Sequence, residues 1–295
     1  MTARPAPTAY SHKRPSALLS LVRGLLWVTR PLPWLGARLA LRLYLTPNLG
    51  FRKHRPFPLL SRISSEWPLT VGGKKIMAYR WGDGPAVLLV HGWESGMSHF
   101  SALIPALLSR GFSAVAFDAP GHGKSPGRQT HLLEITALIR EAAEGVENGF
   151  YGMIGHSFGG MAILYAAVHG VKAERVITLS TPESFRGLFD KFCLSLRIGG
   201  KQKQAFWRRV IRLFQEEGRD MDADFSALAN LPKLTCPALI IHDLDDAVIP
   251  VREAENLAAA NPRAQFFRSR GLGHNRLMND PAVVALCADF LARPA

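Results

Sequence analysis

From Glu66 onward, short apolar runs bounded by turn residues alternate with stretches of helical period. KKIMAYRW (74–81), AVLLV (86–90), SAVAFD (113–118), YGMIGH (151–156), RVITLS (175–180), ALIIHD (238–243) and QFFRSR (265–270) read as strands. Helices are expected near 98–109, 130–147, 158–169, 251–260 and 281–292. A run such as AVLLV is apolar at every position, as a parallel strand buried on both faces should be. This alternation predicts an α/β fold, a mostly parallel central sheet with helices on both faces. Ligand and catalytic groups in such sheets collect beyond the carboxyl ends of the strands. A chain of 295 residues is long enough for one large domain of this kind with an insertion.

The alternation breaks between Thr181 and Cys236. Phe185, Leu188, Phe189, Phe192 and Leu196 recur at helical spacing, and Phe206, Val210, Leu213 and Phe214 repeat the pattern. Residues 183–214 hold eight Lys and Arg against Glu183 and Asp190. The segment 182–236 is therefore read as a helical cap insertion with one apolar stripe and one basic face, between core segments 66–181 and 237–295. Its aromatics (Phe185, Phe189, Phe192, Phe206 and Trp207) suit either an apolar acyl group or the packing of the cap onto the body. Packing is favoured for most of them.

The net charge of +13 is unevenly placed. Residues 1–65 carry eleven basic side chains and no acidic one; subtracting them leaves 25 basic and 23 acidic residues, a net of +2, for the rest. The basic character belongs to an N-terminal extension, not to a surface shaped for nucleic acid. Within that extension, two short helices are expected near 16–29 and 34–45, with Leu- and Trp-rich faces, Arg heads, and Pro31 and Pro33 between them. They could lie on an anionic membrane surface or pack on the body as a collar. No uncharged run reaches the ~20 residues of a membrane span. The expected setting is cytoplasmic, peripheral to a membrane if the helices engage one. Cys193, Cys236 and Cys287 stand too far apart for a disulfide framework or a CxxC metal pair.

The chemistry concentrates in four places. Gly155-His156-Ser157-Phe158-Gly159 lies between a strand and a helix. That is the context of a nucleophile elbow, where a sharp turn strains the central residue and requires tiny neighbours two before and two after. Ser157 would stand above the sheet, and the Phe158 N–H at the helix start would suit a developing oxyanion. His91-Gly92-Trp93 follows AVLLV, where the Trp93 N–H is the candidate second donor. Asp243, Asp245 and Asp246 follow ALII, and any of them could orient a histidine base. His274 lies in GLGH, after the QFFRSR strand. The order Ser157, acid, His274, each member after its own strand, is that of a nucleophilic triad.

With HGW (91–93), FDAPGHGKS (117–125), GHSFGG (155–160), HDLDDAVIP (242–250) and GLGH (271–274), the chain resembles α/β-hydrolase fold proteins over about residues 70–295. The resemblance implies a serine hydrolase with Ser157 as nucleophile, His274 as base and, from alignment of the DAVIP run, Asp246 as acid. Asp243 stands where the family usually has Gly. Asp118, in FDAPGHG, is expected to be structural. The more specific likeness is to bacterial members with HGWE after the strand and a basic N-terminal extension, and it implies no substrate. The expected reaction is hydrolysis of a small-molecule carboxylic ester through an acyl-enzyme. Thioester or carbon–carbon hydrolysis, or a membrane-associated binding protein with an unused triad, are the alternatives. No cofactor, metal or nucleic-acid partner is expected.

Overall fold

The computed structural model describes residues 17–47, 56–214 and 220–293. Two helices, α1 (Ala17–Val28) and α2 (Pro33–Tyr44), precede the sheet. Then follow β1 (Ser65–Val71), β2 (Lys74–Trp81), β3 (Ala86–Val90), α3 (Leu103–Ser109), β4 (Ser113–Phe117), α4 (Leu132–Glu144), β5 (Phe150–His156), α5 (Phe158–Val168) and β6 (Ala173–Leu179). The helical insertion holds α6 (Phe185–Ser195), α7 (Gly200–Phe214), α8 (Met221–Phe225) and α9 (Ala227–Asn230). The chain closes with β7 (Ala238–Asp243), α10 (Val251–Ala260), β8 (Gln265–Ser269), a short α11 (Gly273–Arg276) and α12 (Pro281–Ala292).

The eight strands form one sheet in the order β1-β2-β4-β3-β5-β6-β7-β8. Pairing is antiparallel from β1 to β2 and from β2 to β4, and parallel from β4 through β8. Although β3 is apolar throughout, its side chains alternate between two cores. Leu88 and Val90 join the one that includes α4 and α5, whereas Val87 and Leu89 join the one that includes α3 and α12.

Two elements differ from the sequence expectation. β1 is a strand the sequence reading does not contain, because SEWPLTV carries a proline and an acidic residue in place of an apolar run. It is tolerated because β1 is a sheet edge, where a missing N–H need not break a ladder. Gly72 and Gly73, both at positive φ (53° and 71°), close the two-residue hairpin to β2. The helix expected over 98–109 is broken into a 3-10 turn at Met97–Phe100 and α3.

The extension packs on the insertion. On α1, Val22 and Leu26 are buried, and burial of side chains this size contributes roughly 1.5–3 kcal/mol each. Gln202 of α7 donates to Leu26 O (3.0 Å) and to Thr29 Oγ1 (3.1 Å). α2 crosses α7 at small residues, and a Cβ on Gly36 would lie 1.8 Å from Gln202 Nε2. At the end of α2 the Tyr44 ring meets Phe192 (4.9 Å) and Phe206 (5.7 Å) edge-on. The inner faces of both helices thus form a collar.

Candidate active site

β3 and β5 are neighbours, with Val90 opposite Gly155, so the loops leaving their carboxyl ends meet. The turn after β5 leaves no room for side chains. A Cβ on Gly155 would lie 2.6 Å from Gly159 O, and one on Gly159 would lie 2.2 Å from Val90 O. Gly160 is equally confined, by Thr181 Oγ1 at 1.8 Å. Between these glycines Ser157 is held at φ 53°, ψ −119°, a costly conformation for a residue with a Cβ. Its N–H donates to Leu179 O (2.8 Å). Its hydroxyl has no hydrogen-bond partner among the described residues, and the residue borders a cavity of about 1570 Å³.

Phe158 opens α5, so its N–H has no acceptor within the helix. Gly92 packs against the elbow: a Cβ there would lie 3.0 Å from Ser157 Cβ. That contact brings the next residue, Trp93, beside Phe158, their rings 5.4 Å apart. Neither the Trp93 nor the Phe158 N–H donates to a protein acceptor among the described residues. Two histidines fix this loop. The Ala119 N–H donates to His91 Nε2 (3.0 Å), and His91 Nδ1 donates to Gly92 O (2.8 Å). The Glu94 N–H donates to His122 Nε2 (3.1 Å). Burial lowers the His91 pKa, consistent with a neutral ring that both accepts and donates.

The three aspartates at and just beyond the end of β7 have separate partners. His274 Nδ1 donates to Asp246 Oδ2 at 2.8 Å, and the N–H groups of Val248 (2.8 Å) and Ile249 (2.9 Å) donate to Asp246 Oδ1. Burial pushes the Asp246 pKa up. The bonds from His274 and from the two N–H groups outweigh it and hold the carboxyl below its ordinary value. Asp245 accepts from the Gly271 N–H (2.9 Å). Asp243 staples the histidine loop, accepting from the N–H groups of Leu272 (3.1 Å), Gly273 (2.8 Å) and Asp245 (3.0 Å) and from the Ser269 hydroxyl (2.7 Å). An acid in the place usual for glycine thus holds the loop, not the imidazole.

Asp118 is structural here, since its carboxylate accepts from the N–H groups of Met97 (2.8 Å) and Lys124 (3.2 Å). His156, Nε2 donating to His274 O (2.8 Å), ties the elbow to the histidine loop. Its burial, with His274 nearby, takes its pKa down to about 3, so it stays neutral. The sequence reading assigned no role to His122 or His156, and their only signal was the small or turn-forming residues around them. Among the described residues, no group of His, Cys, Asp and Glu is placed to hold a metal ion.

Burial pushes the Asp243 pKa up, and the four donors pull it below its ordinary 3.8. A depressed folded-state pKa adds stability that is present above 3.8 and is lost as pH falls through the folded value. Asp243→Asn is expected to cost about 2–4 kcal/mol at pH 7, from hydrogen bonds to a charged acceptor. The cost shrinks toward pH 3. Thermal unfolding of both proteins at the two pH values checks this, and an equal gap at both would refute the charge argument.

The sheet order and the strained serine turn at the head of α5 define an α/β hydrolase. The chain belongs to the alpha/beta hydrolase family, whose profile matches residues 87–285. It is 36% identical over 125 residues to a human serine hydrolase-like protein, covering 40% of this chain and 61% of that protein. The match to a second human protein of that name covers only 40% of its length, so the chain spans about half of these relatives. A pimeloyl-[acyl-carrier protein] methyl ester esterase from Nitrosomonas europaea is 25% identical over 248 residues, 71% of this chain and 96% of that one. An esterase structure from Pyrococcus furiosus superposes with a TM-score of 0.62 at 17% identity, covering 82% of this chain and 97% of that one; it shares the fold.

Proposed function

We propose that the protein is a serine hydrolase of carboxylic esters with an apolar acyl group. The observation that carries this reading is the His274 Nδ1 to Asp246 Oδ2 bond at 2.8 Å, with His274 and the strained Ser157 bordering one cavity. Asp246 fixes the Nδ1–H tautomer, leaving His274 Nε2 as the base. Ser157 Oγ adds to the ester carbonyl carbon while its proton passes to Nε2. The carbonyl π electrons move to oxygen, which accepts from the Phe158 and Trp93 N–H groups. The intermediate collapses, the C–O bond to the alcohol breaks, and Nε2 returns the proton to the leaving oxygen. Water then repeats the sequence on the acyl-enzyme. The Ser157 to His274 contact would tighten as substrate closes the site.

The cavity wall supports an apolar acyl group. The insertion contributes Phe185, Leu188, Phe192 and Phe214, and α2 contributes Tyr44. In this reading the insertion is a cap. The esterase from Nitrosomonas europaea supports the ester class without naming a substrate for this chain. Hydrolysis of p-nitrophenyl esters from C2 to C16 tests the reading, with an optimum expected beyond C4. Turnover of acyl thioesters alone, or of no ester at all, would overturn it.

A further inference from the structure

α1 is apolar on both sides. Its inner residues Val22 and Leu26 lie in the core, while Leu21, Leu25 and Val28 form an outer stripe at i, i+4 and i+7. Trp27 (63% exposed) extends this stripe toward the turn, where Leu32 and Trp34 (56%) continue it onto α2. Leu194, 80% exposed, lies beside Ser195, whose carbonyl O accepts from Arg23 of α1 at 2.7 Å, so the insertion adds an exposed leucine near α1. Exposed tryptophans beside leucines on this scale mark a contact surface.

The charges around this patch have one sign. Arg38 and Arg42 follow Trp34 by one and two turns on the same exposed face of α2 and, among the described residues, have no acidic partner. Arg30 donates to Arg197 O (3.3 Å), which places a further exposed arginine pair beside the tip. The chain has no acidic residue before Glu66. None of the described helices is long and apolar enough to cross a membrane. An apolar tip with tryptophans, backed by arginines, matches the depth order of a bilayer interface, where rings insert and cations meet anionic headgroups. A second copy of the chain would set like charges against each other.

We propose that the outer face of the α1–α2 hairpin docks on an anionic lipid bilayer. The same hairpin serves as a collar through its inner face and as a membrane contact through its outer one. α2 runs from Trp34 at the docked tip to Tyr44 at the cavity wall, about 15 Å along the helix axis.

The test is co-sedimentation of the full-length protein with extruded vesicles of phosphatidylcholine alone or with phosphatidylglycerol at 3:1. Binding is expected only with phosphatidylglycerol. The variant Leu21→Ser, Leu25→Ser, Trp27→Ser, Trp34→Ser should lower the partition coefficient at least about tenfold, since each loses apolar area that would insert. Arg38→Gln and Arg42→Gln should each lower it about fivefold at low salt. These side chains are exposed, so circular dichroism should match the wild type. The proposal is overturned if the folded wild type fails to pellet with phosphatidylglycerol vesicles, or if neither set of variants changes its binding. It is also overturned if light scattering shows a dimer that the serine variant dissolves while vesicle binding is absent. Hydrolysis of soluble esters is read separately, so failure here leaves the proposed reaction standing.

Discussion

Ser157→Ala is expected to lower kcat on a short p-nitrophenyl ester by about 10⁴- to 10⁶-fold, with KM changed little. In the proposed mechanism serine and base act as one unit, so losing the nucleophile would forfeit covalent catalysis and leave only what binding and the oxyanion donors supply. The fold should survive, because the Ser157 hydroxyl holds no other group in place. Ser157→Gly should be equally inactive yet more stable. At φ 53° the Cβ is strained, and its removal is worth about 1 kcal/mol, or a rise in Tm of a few degrees. Rate and melting point therefore move independently at one position. An alanine variant that retained even a tenth of the wild-type rate would remove Ser157 from the mechanism.

Asp246→Asn should cost about 10⁴-fold in kcat, because the amide can donate to Nδ1 and favour the wrong imidazole tautomer. The Asp246 side chain is fully buried, so the loss is not repaired by water. Comparison with Asp243→Asn separates the two acids. Asp243 touches the loop and not the ring, so its variant should lose stability first and activity through the displaced loop, with a melting curve to show it. If Asp246→Asn kept most of its activity, while Asp243→Asn lost nearly all of it without unfolding, the acid would be reassigned.

A central strand such as β3 was legible because a parallel strand covered by helices on both faces is apolar along its length, as AVLLV is. β1 was not, since an edge strand tolerates Pro68 and exposed polar residues. Spacing alone left Asp243, Asp245 and Asp246 open, and only the family resemblance favoured Asp246, because proximity in sequence carries no information on which carboxylate faces the ring. The β7 turn decides that, through the Val248 and Ile249 N–H groups that aim Asp246. The hairpin helices were legible as amphipathic, but the sequence offered membrane contact and collar as rivals. The structure assigns the collar to the inner face alone.

That inner face has a consequence for biosynthesis. Gln202, which bonds to Leu26 O, lies 176 positions later in the chain. At about 5–20 residues per second, the hairpin waits roughly 10–35 s after synthesis before its partner helix exists. The first described helices to be made are thus among the last to dock, and the cavity wall at Tyr44 is completed only when they do. A nascent chain passes through that interval with both apolar faces of α1 uncovered, so the longest exposure of apolar surface during synthesis falls on the segment made first among the described ones.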